Sequence, residues 1–158
     1  MENVYEEVQD NPGSRLRLRF PPDARYGKFV RERLTSFVEK YALPDADFHE
    51  FITAVGEALA NALEHAKTSD TIEISAWFVN GSLLIATVVD TGIGFAIPKI
   101  AASPTLPPPD SERGRGLSIM KTCTDLFTVR SKPGQGTAVI LGRYLHQSDH
   151  PDRLNSAG

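Results

Sequence analysis

Apolar and polar positions along the chain follow regular periods, and these periods predict a series of strands and helices. Near the N-terminus, SRLRLRF alternates, with Leu16, Leu18 and Phe20 on one side and three arginines on the other. Strict alternation is typical of a half-buried strand. We interpret the arginine side as a solvated face that protects a sheet edge, with binding of a partner as the alternative.

Two amphipathic helices are predicted next. The first lies between a proline pair after the strand and Pro44, with apolar positions spaced three and four residues apart. The second has Asp47 followed by Glu50, a pattern typical of a capping box, and is expected to run to about Lys67. Its predicted apolar stripe is Phe48, Ile52, Val55, Leu59, Leu63 and Ala66.

Two hairpins complete the pattern. TIEISAWFV and SLLIATVV flank Asn80-Gly81, which is the strongest short-range hairpin signal, and DLFTVRS and GTAVILGRYL flank a second turn at residues 133–136. Between the hairpins, SPTLPPPDSERGRG is predicted as a loop and RGLSIMKTC as a short helix. This order of elements predicts an α+β fold, a two-layer α/β sandwich with a mixed, mostly antiparallel sheet covered on one face by about three helices.

Length and charge narrow the class of protein. The 158 residues suit one domain, expected at residues 14–145 between flexible tails at residues 1–13 and 146–158. A net charge of −3 gives no basic field for nucleic acid, and no apolar run approaches the roughly 20 residues that span a bilayer, so neither partner is expected. The single cysteine, Cys123, excludes an internal disulfide, and with an acidic N-terminus unlike a signal peptide it indicates a cytoplasmic protein.

Polar residues interrupt the apolar pattern at two places where chemistry could occur. Glu57 and Asn61 are one helical turn apart, so a base and a metal ligand could share one face, although taken alone a solvated face is the more common explanation. In VVDTGIGF, Asp90 ends a strand, and Gly92 and Gly94 would let a ligand approach the backbone. A plain turn has the same composition.

RGRGLSIM, PGQGTAVIL and VVDTG are each open to two interpretations. RGRGLSIM leads into a predicted helix N-terminus, a natural phosphate site, yet the chain has no GxxxxGK[ST] phosphate loop. PGQGTAVIL, which contains Thr137, is explained by a hairpin alone. VVDTG also matches the active-site triplet of a retroviral-type aspartic protease, in which two Asp90 carboxylates would share a proton across a dimer. Ile93 and the helices predicted upstream argue against the protease.

Taken together, the order and spacing of these segments resemble the GHKL ATPase superfamily with its Bergerat ATP-binding fold. Within it, the chain is similar to the small bacterial anti-sigma factor serine/threonine kinases. The resemblance covers roughly residues 14–145. The matched motifs are the N box ExxxNAxxH in EALANALEH, the G1 box DxGxGF in DTGIGF, the G2 box GxGLxxM in GRGLSIM, and a closing GT at Gly136 and Thr137.

This resemblance implies a role for each matched residue. Glu57 would be the general base and Asn61 would hold Mg²⁺ beside the phosphates of ATP. Asp90 would accept a hydrogen bond from the exocyclic amine of adenine, with Thr137 supporting the base. The other implied positions are Gly92 and Gly94 beside the base, the amides of Gly114, Arg115, Gly116 and Leu117 near the phosphates, Arg113 or Arg115 as the neutralising arginine, and residues 101–113 as the ATP lid.

The resemblance also implies a function and partners. The protein would be a serine/threonine kinase that phosphorylates a small anti-anti-sigma protein, its antagonist, in a partner-switching system. It would also bind a sigma factor or a comparable regulator, and a homodimer is the family expectation. The alternative within the same fold is an ATP-dependent binding switch without kinase activity.

Overall fold

The computed structural model describes residues 3–9, 14–40, 45–65, 71–80, 82–94, 99–100, 103–104 and 112–145. Within these ranges the elements follow in a simple order along the chain. They are β1 (Tyr5–Gln9), β2 (Arg15–Phe20), a 3-10 turn (Ala24–Tyr26), α1 (Gly27–Glu39), α2 (Asp45–His65), β3 (Ile72–Val79), β4 (Leu83–Asp90), β5 (Lys99–Ile100), β6 (Ser103–Pro104), α3 (Glu112–Thr122), β7 (Leu126–Lys132) and β8 (Gly136–Tyr144).

Six of the described strands form one sheet in the order β1-β2-β3-β4-β8-β7, and β5 and β6 form a separate pair. Each neighbouring pair in the large sheet is antiparallel, so its described part is antiparallel throughout rather than mixed. The three described helices pack their buried residues into one core with the sheet. This arrangement confirms the predicted two-layer α+β sandwich.

Alternation along the strands decides which face meets the helices. Leu16, Leu18 and Phe20 are buried, and their cross-strand partners Ala76, Ile74 and Ile72 are buried with them. The same side of β4 and β8 continues the core with Leu84, Ala86, Val88, Val139 and Leu141. The predicted half-buried strand is confirmed, and its arginines lie on the opposite, solvent-facing side of the sheet.

The N-terminal segment differs from the prediction, because Tyr5–Gln9 forms β1 rather than part of a flexible tail. All five residues of β1 are exposed, so no apolar period marks the strand. Charge complementarity helps to hold it, since Glu6 pairs with Arg33 of α1 at 2.6 Å and Glu7 lies 3.7 Å from Arg17. The interpretation of β2 as a protected edge is therefore wrong, because β1 covers it.

Both later helices begin earlier than predicted. α2 starts at Asp45, so Asp47 lies inside its first turn and does not act as the N-cap. Its buried face consists of Phe51, Ala54, Val55, Ala58, Leu59 and Ala62, whereas Phe48, Ile52 and Leu63 are only partly buried. The predicted stripe is rotated relative to the observed buried face. The prediction weighted large apolar residues and omitted the alanines, which are small enough to allow close packing.

The remaining predictions about elements have mixed outcomes. The hairpin at Asn80 is confirmed, with Val79 opposite Leu83 and Asn80 at a positive φ of 53°. The hairpin formed by β7 and β8 is also confirmed. Most of the predicted lid and all of the predicted tail at 146–158 lie outside the described residues. In the part of the chain that is described, no helix is long and apolar enough to cross a membrane.

Candidate active site

Three polar side chains lie beside one another where the helix-covered face of the sheet ends. Asp90 of β4 is directly opposite Thr137 of β8, and Thr137 is directly opposite Ser131 of β7. The preceding positions on the same face are apolar, with Val88 paired to Val139. We call Asp90, Thr137 and Ser131 the polar row. It places hydrogen-bonding groups at the rim of an otherwise apolar core.

Hydrogen bonds fix the members of the polar row. Asp90 is only 8% exposed, and its Oδ1 accepts a 2.9 Å hydrogen bond from the backbone N–H of Gly92. The hydroxyls of Ser131 and Thr137 are 2.7 Å apart. Ser131 Oγ also lies 3.1 Å from the carbonyl oxygen of Gly136. An acidic acceptor is thereby held in a defined orientation at the end of β4.

The glycines near this row are required by contacts between two loops. Gly94 has a φ of +62°, and a Cβ there would strike the carbonyl oxygen of Lys132. Gly136 has a φ of +85°, and a Cβ there would strike the carbonyl oxygen of Asp90. The N–H of Gly134 donates to the carbonyl of Ile93 at 2.7 Å, which joins the same two loops. The glycines therefore let the backbones meet beside Asp90.

A second group of predicted residues meets where α2 and α3 pack. Glu57 and Asn61 are half-buried on α2 and face Gly116 of α3. A Cβ at Gly116 would lie 3.3 Å from both Glu57 Oε2 and Asn61 Nδ2. The absence of a side chain at Gly116 thus leaves a carboxylate and a carboxamide side by side.

The donor set fits a magnesium ion held largely by phosphate. Mg²⁺ prefers oxygen ligands and usually keeps several waters while one or two protein groups and substrate phosphates complete its shell. The carboxamide oxygen of Asn61 is that kind of ligand, and the carboxylate of Glu57 lies beside the same glycine. Among the described residues no cluster of three or more acidic, histidine or cysteine side chains could hold a metal without such phosphates.

The starting point of α3 determines which backbone amides are available to bind phosphate. The helix begins at Glu112, so Gly114 is in its first turn, where backbone N–H groups lack helical partners. Gly116 and Leu117 lie beyond that turn, where amides bond within the helix, so their predicted amide role does not follow from this geometry. Leu117 instead packs in the core, and Arg115 is exposed. The side chain of Arg113, like Phe95 of the G1 motif, lies outside the described residues.

Sequence reasoning missed an ion-pair network at the far end of β8. Arg143 lies 2.7 Å from Asp47 and 2.6 Å from Glu50, and it donates to the carbonyl of Cys123 at 3.3 Å. Burial lowers the pKa of Arg143, but the hydrogen bond to Asp47 and the charge of Glu50 outweigh it and hold that pKa above its usual value. Burial also raises the pKa of the Cys123 thiol, and the Glu50 carboxylate adds to this.

Ser131 was missed as well, although the sequence contains a signal for it. The turn at residues 133–136 predicts a hairpin, and counting back from it places residue 131 opposite Thr137. Neither the Arg143 network nor the Ser131 contact belongs to a recognised motif.

Comparison with known proteins assigns the class that this fold and site define. Residues 20–143 match the family described as the histidine kinase-like ATPase domain. The chain belongs to this family. Membership implies ATP binding, and it contradicts the aspartic protease alternative, whose all-β fold the three helices also exclude.

Within that class, the chain is similar to proteins named anti-sigma F factor. A Geobacillus protein of this name is 29% identical over 138 residues, covering 84% of this chain and 94% of the relative. One from Pasteuria penetrans is 30% identical over 141 residues, covering 85% and 93%. One from Clostridium perfringens is 28% identical over 138 residues, covering 84% and 98%. The predicted membership of the anti-sigma factor family is confirmed.

Two solved structures share the fold. The RsbU and RsbW domains of a Mycobacterium tuberculosis protein match with a TM-score of 0.62 at 19% identity, covering 82% of this chain. A histidine kinase domain from a blue-light activated histidine kinase of Erythrobacter litoralis matches with a TM-score of 0.51 at 20% identity, covering 81% of this chain. This chain spans 32% and 63% of those two chains, respectively.

Proposed function

We propose that the protein is an anti-sigma factor-type serine/threonine kinase that binds Mg-ATP and phosphorylates a small antagonist protein. The observation that carries the proposal is the contact of Glu57 and Asn61 with Gly116. It places a candidate base and a candidate metal ligand beside α3, one turn from its N-terminal end, where open amides attract phosphate.

The polar row supplies the recognition of the base. The buried carboxylate of Asp90, oriented by the N–H of Gly92, accepts a hydrogen bond from the exocyclic amine of adenine. A buried acceptor left without a donor is costly, so this contact discriminates between bases better than apolar packing does. Gly94 and Gly136 maintain the loop contact that holds Asp90 in place.

Phosphoryl transfer requires mainly positioning and charge neutralisation. Asn61 would hold Mg²⁺, which when bound neutralises the phosphates of ATP. The carboxylate of Glu57 takes the proton of the substrate hydroxyl while that oxygen bonds to the γ-phosphorus. The bond from the γ-phosphorus to the bridging oxygen breaks, and ADP carries away the electron pair. Arg113 or Arg115 would meet the remaining phosphate charge.

The proposed partners follow from the names of the relatives. An anti-sigma F factor is by name directed at a sigma factor, which supports a sigma factor or a comparable regulator as one partner. The substrate is proposed to be an anti-anti-sigma protein with a phosphorylatable serine or threonine. We further propose a cytoplasmic homodimer, in which the exposed β1 and neighbouring α1 are available for association.

The test is transfer from labelled ATP to an anti-anti-sigma protein from the same organism. Glu57→Gln should leave ATP binding intact and reduce transfer by about 10²–10⁴-fold, the usual contribution of a general base. The matched control is Glu64→Gln, an exposed carboxylate on the same helix, which should transfer normally. Undiminished transfer by Glu57→Gln would remove Glu57 as the base. ATP binding without any transfer by the wild-type protein would instead support the binding switch.

A further inference from the structure

We propose that Ser131 is a specificity-determining residue that orients the Thr137 hydroxyl and so helps the site to select a 6-amino purine over a 6-oxo purine. The proposal rests on the proposed function to the extent that the polar row binds the base. It concerns a residue outside the four sequence motifs.

The direction of the hydrogen bonds follows from the two contacts of Ser131. A carbonyl oxygen can only accept, so the 3.1 Å contact with Gly136 requires Ser131 to donate its one hydroxyl proton there. The hydroxyl of Thr137, 2.7 Å away, can then bond Ser131 only by donating to it. Both bonds form together in this one arrangement.

Thr137 consequently presents lone pairs, and no proton, to a bound base. The ionised carboxylate of Asp90 beside it is also acceptor-only. The rim of the site therefore offers two acceptors at adjacent positions of β4 and β8. A 6-amino group has two N–H donors and matches them, whereas a 6-oxo group is an acceptor and meets lone pairs.

Without the Ser131 hydroxyl, Thr137 is free to rotate its proton towards the base. It could then donate to a 6-oxo group, which removes part of the penalty against that base. The expected effect of Ser131→Ala is a change in base preference rather than a uniform loss of nucleotide affinity.

The experiment compares binding of Mg-ATP and Mg-ITP by calorimetry. Wild-type protein should bind ATP more tightly than ITP. Ser131→Ala should reduce the ratio of the two affinities by about tenfold, the contribution of one hydrogen bond. Ser131→Thr keeps the hydroxyl and should retain the preference. Thr128→Ala, at an exposed position of the same strand on the opposite face, is the matched control and should also retain it.

An unchanged ATP-to-ITP ratio in Ser131→Ala would overturn the proposal, as would an equal loss of affinity for both nucleotides. Circular dichroism establishes that each variant is folded, and Ser131→Cys, with a weaker donor of similar size, replaces the alanine variant if that one unfolds. Wild-type protein that binds neither nucleotide would instead refute the proposed function, and the inference with it.

Discussion

At the scale of single residues, two glycines in the β7–β8 turn differ in why a side chain would be unfavourable. At one the cost is backbone strain alone, and at the other it is strain together with a steric clash. Gly134 and Gly136 both have a positive φ, of 78° and 85°. No described atom lies within 4 Å of a Cβ at Gly134, whereas a Cβ at Gly136 would be 2.6 Å from Thr91 Cα and would strike the Asp90 carbonyl. A side chain at position 136 would therefore clash with its neighbours, whereas a side chain at position 134 would not.

We expect Gly134→Ala to lower the free energy of unfolding by about 1 kcal/mol, the cost of a strained backbone alone. Gly136→Ala must also push the β7–β8 turn away from Asp90, so it should cost well over about 3 kcal/mol or prevent folding. Urea unfolding of the two variants checks this. Equal destabilisation would mean that the two loops separate easily and that their contact does not hold Asp90.

Gly116 should show opposite effects on stability and activity. Glycine within a helix costs about 1 kcal/mol relative to alanine, so Gly116→Ala should leave stability unchanged or raised. Its Cβ would lie 3.3 Å from the Glu57 and Asn61 side chains, so both must shift and phosphate transfer should fall at least about tenfold. Gly56→Ala is the control, because its Cβ would make an ordinary 3.8 Å contact with Arg31. Equal activity of the two variants would contradict the packing of Glu57 against α3.

At the scale of elements, periodicity predicted the strands well and the helix surfaces less well. The alternation in β2 and the hairpin at Asn80 are set by neighbouring residues in the sequence, and both are present in the structure. The buried face of α2 depends on which neighbours cover it, and its alanines carry little hydrophobic signal. β1 could not be found by period because its residues are all exposed and its partners, such as Arg33, are distant in sequence.

The Arg143 network joins β8 to α2 and to the residue that follows α3, and it allows a graded test. Arg143 and Asp47 are 12% and 6% exposed, whereas Glu50 is 46% exposed. Asp47→Ala removes the buried partner and leaves Arg143 paired only with the more exposed Glu50, so it should cost about 1.5–3 kcal/mol, the contribution of a charged hydrogen bond. Glu50→Ala breaks a solvent-screened pair and should cost below about 1 kcal/mol. Urea unfolding measures both, and a larger cost for Glu50 would contradict the assignment of Asp47 as the buried anchor of α2.

At the scale of the whole molecule, the candidate site draws on elements far apart in the chain. Glu57 lies on α2, Asp90 on β4, Gly116 on α3 and Thr137 on β8. These residues could be predicted from the sequence because each belongs to a short contiguous motif, and the motifs occur in a recognisable order. It could not predict Ser131 or Arg143, because their importance depends on strand register and on which helices meet. The sheet order β4-β8-β7 is what places Thr137 between Asp90 and Ser131.

Since the site joins these elements, ligand binding should stabilise the molecule as a unit. A ligand at 100 times its Kd adds about 2.7 kcal/mol to the free energy of unfolding, which raises Tm by several degrees in a domain of this size. We expect Mg-ATP to give such a shift and EDTA to reduce it.

Asn61→Ala should remove the part of the shift in Tm that depends on Mg²⁺, because ATP alone still reaches the polar row. Asp90→Asn should remove most of the shift with or without Mg²⁺, because the amide oxygen would keep the hydrogen bond from the Gly92 N–H and the NH₂ donor would face the amine of the base. Thermal unfolding of the three proteins with ATP, with and without the metal, separates these contributions. A wild-type shift in Asp90→Asn would place the base elsewhere, and a full response to Mg²⁺ in Asn61→Ala would assign the metal to another ligand.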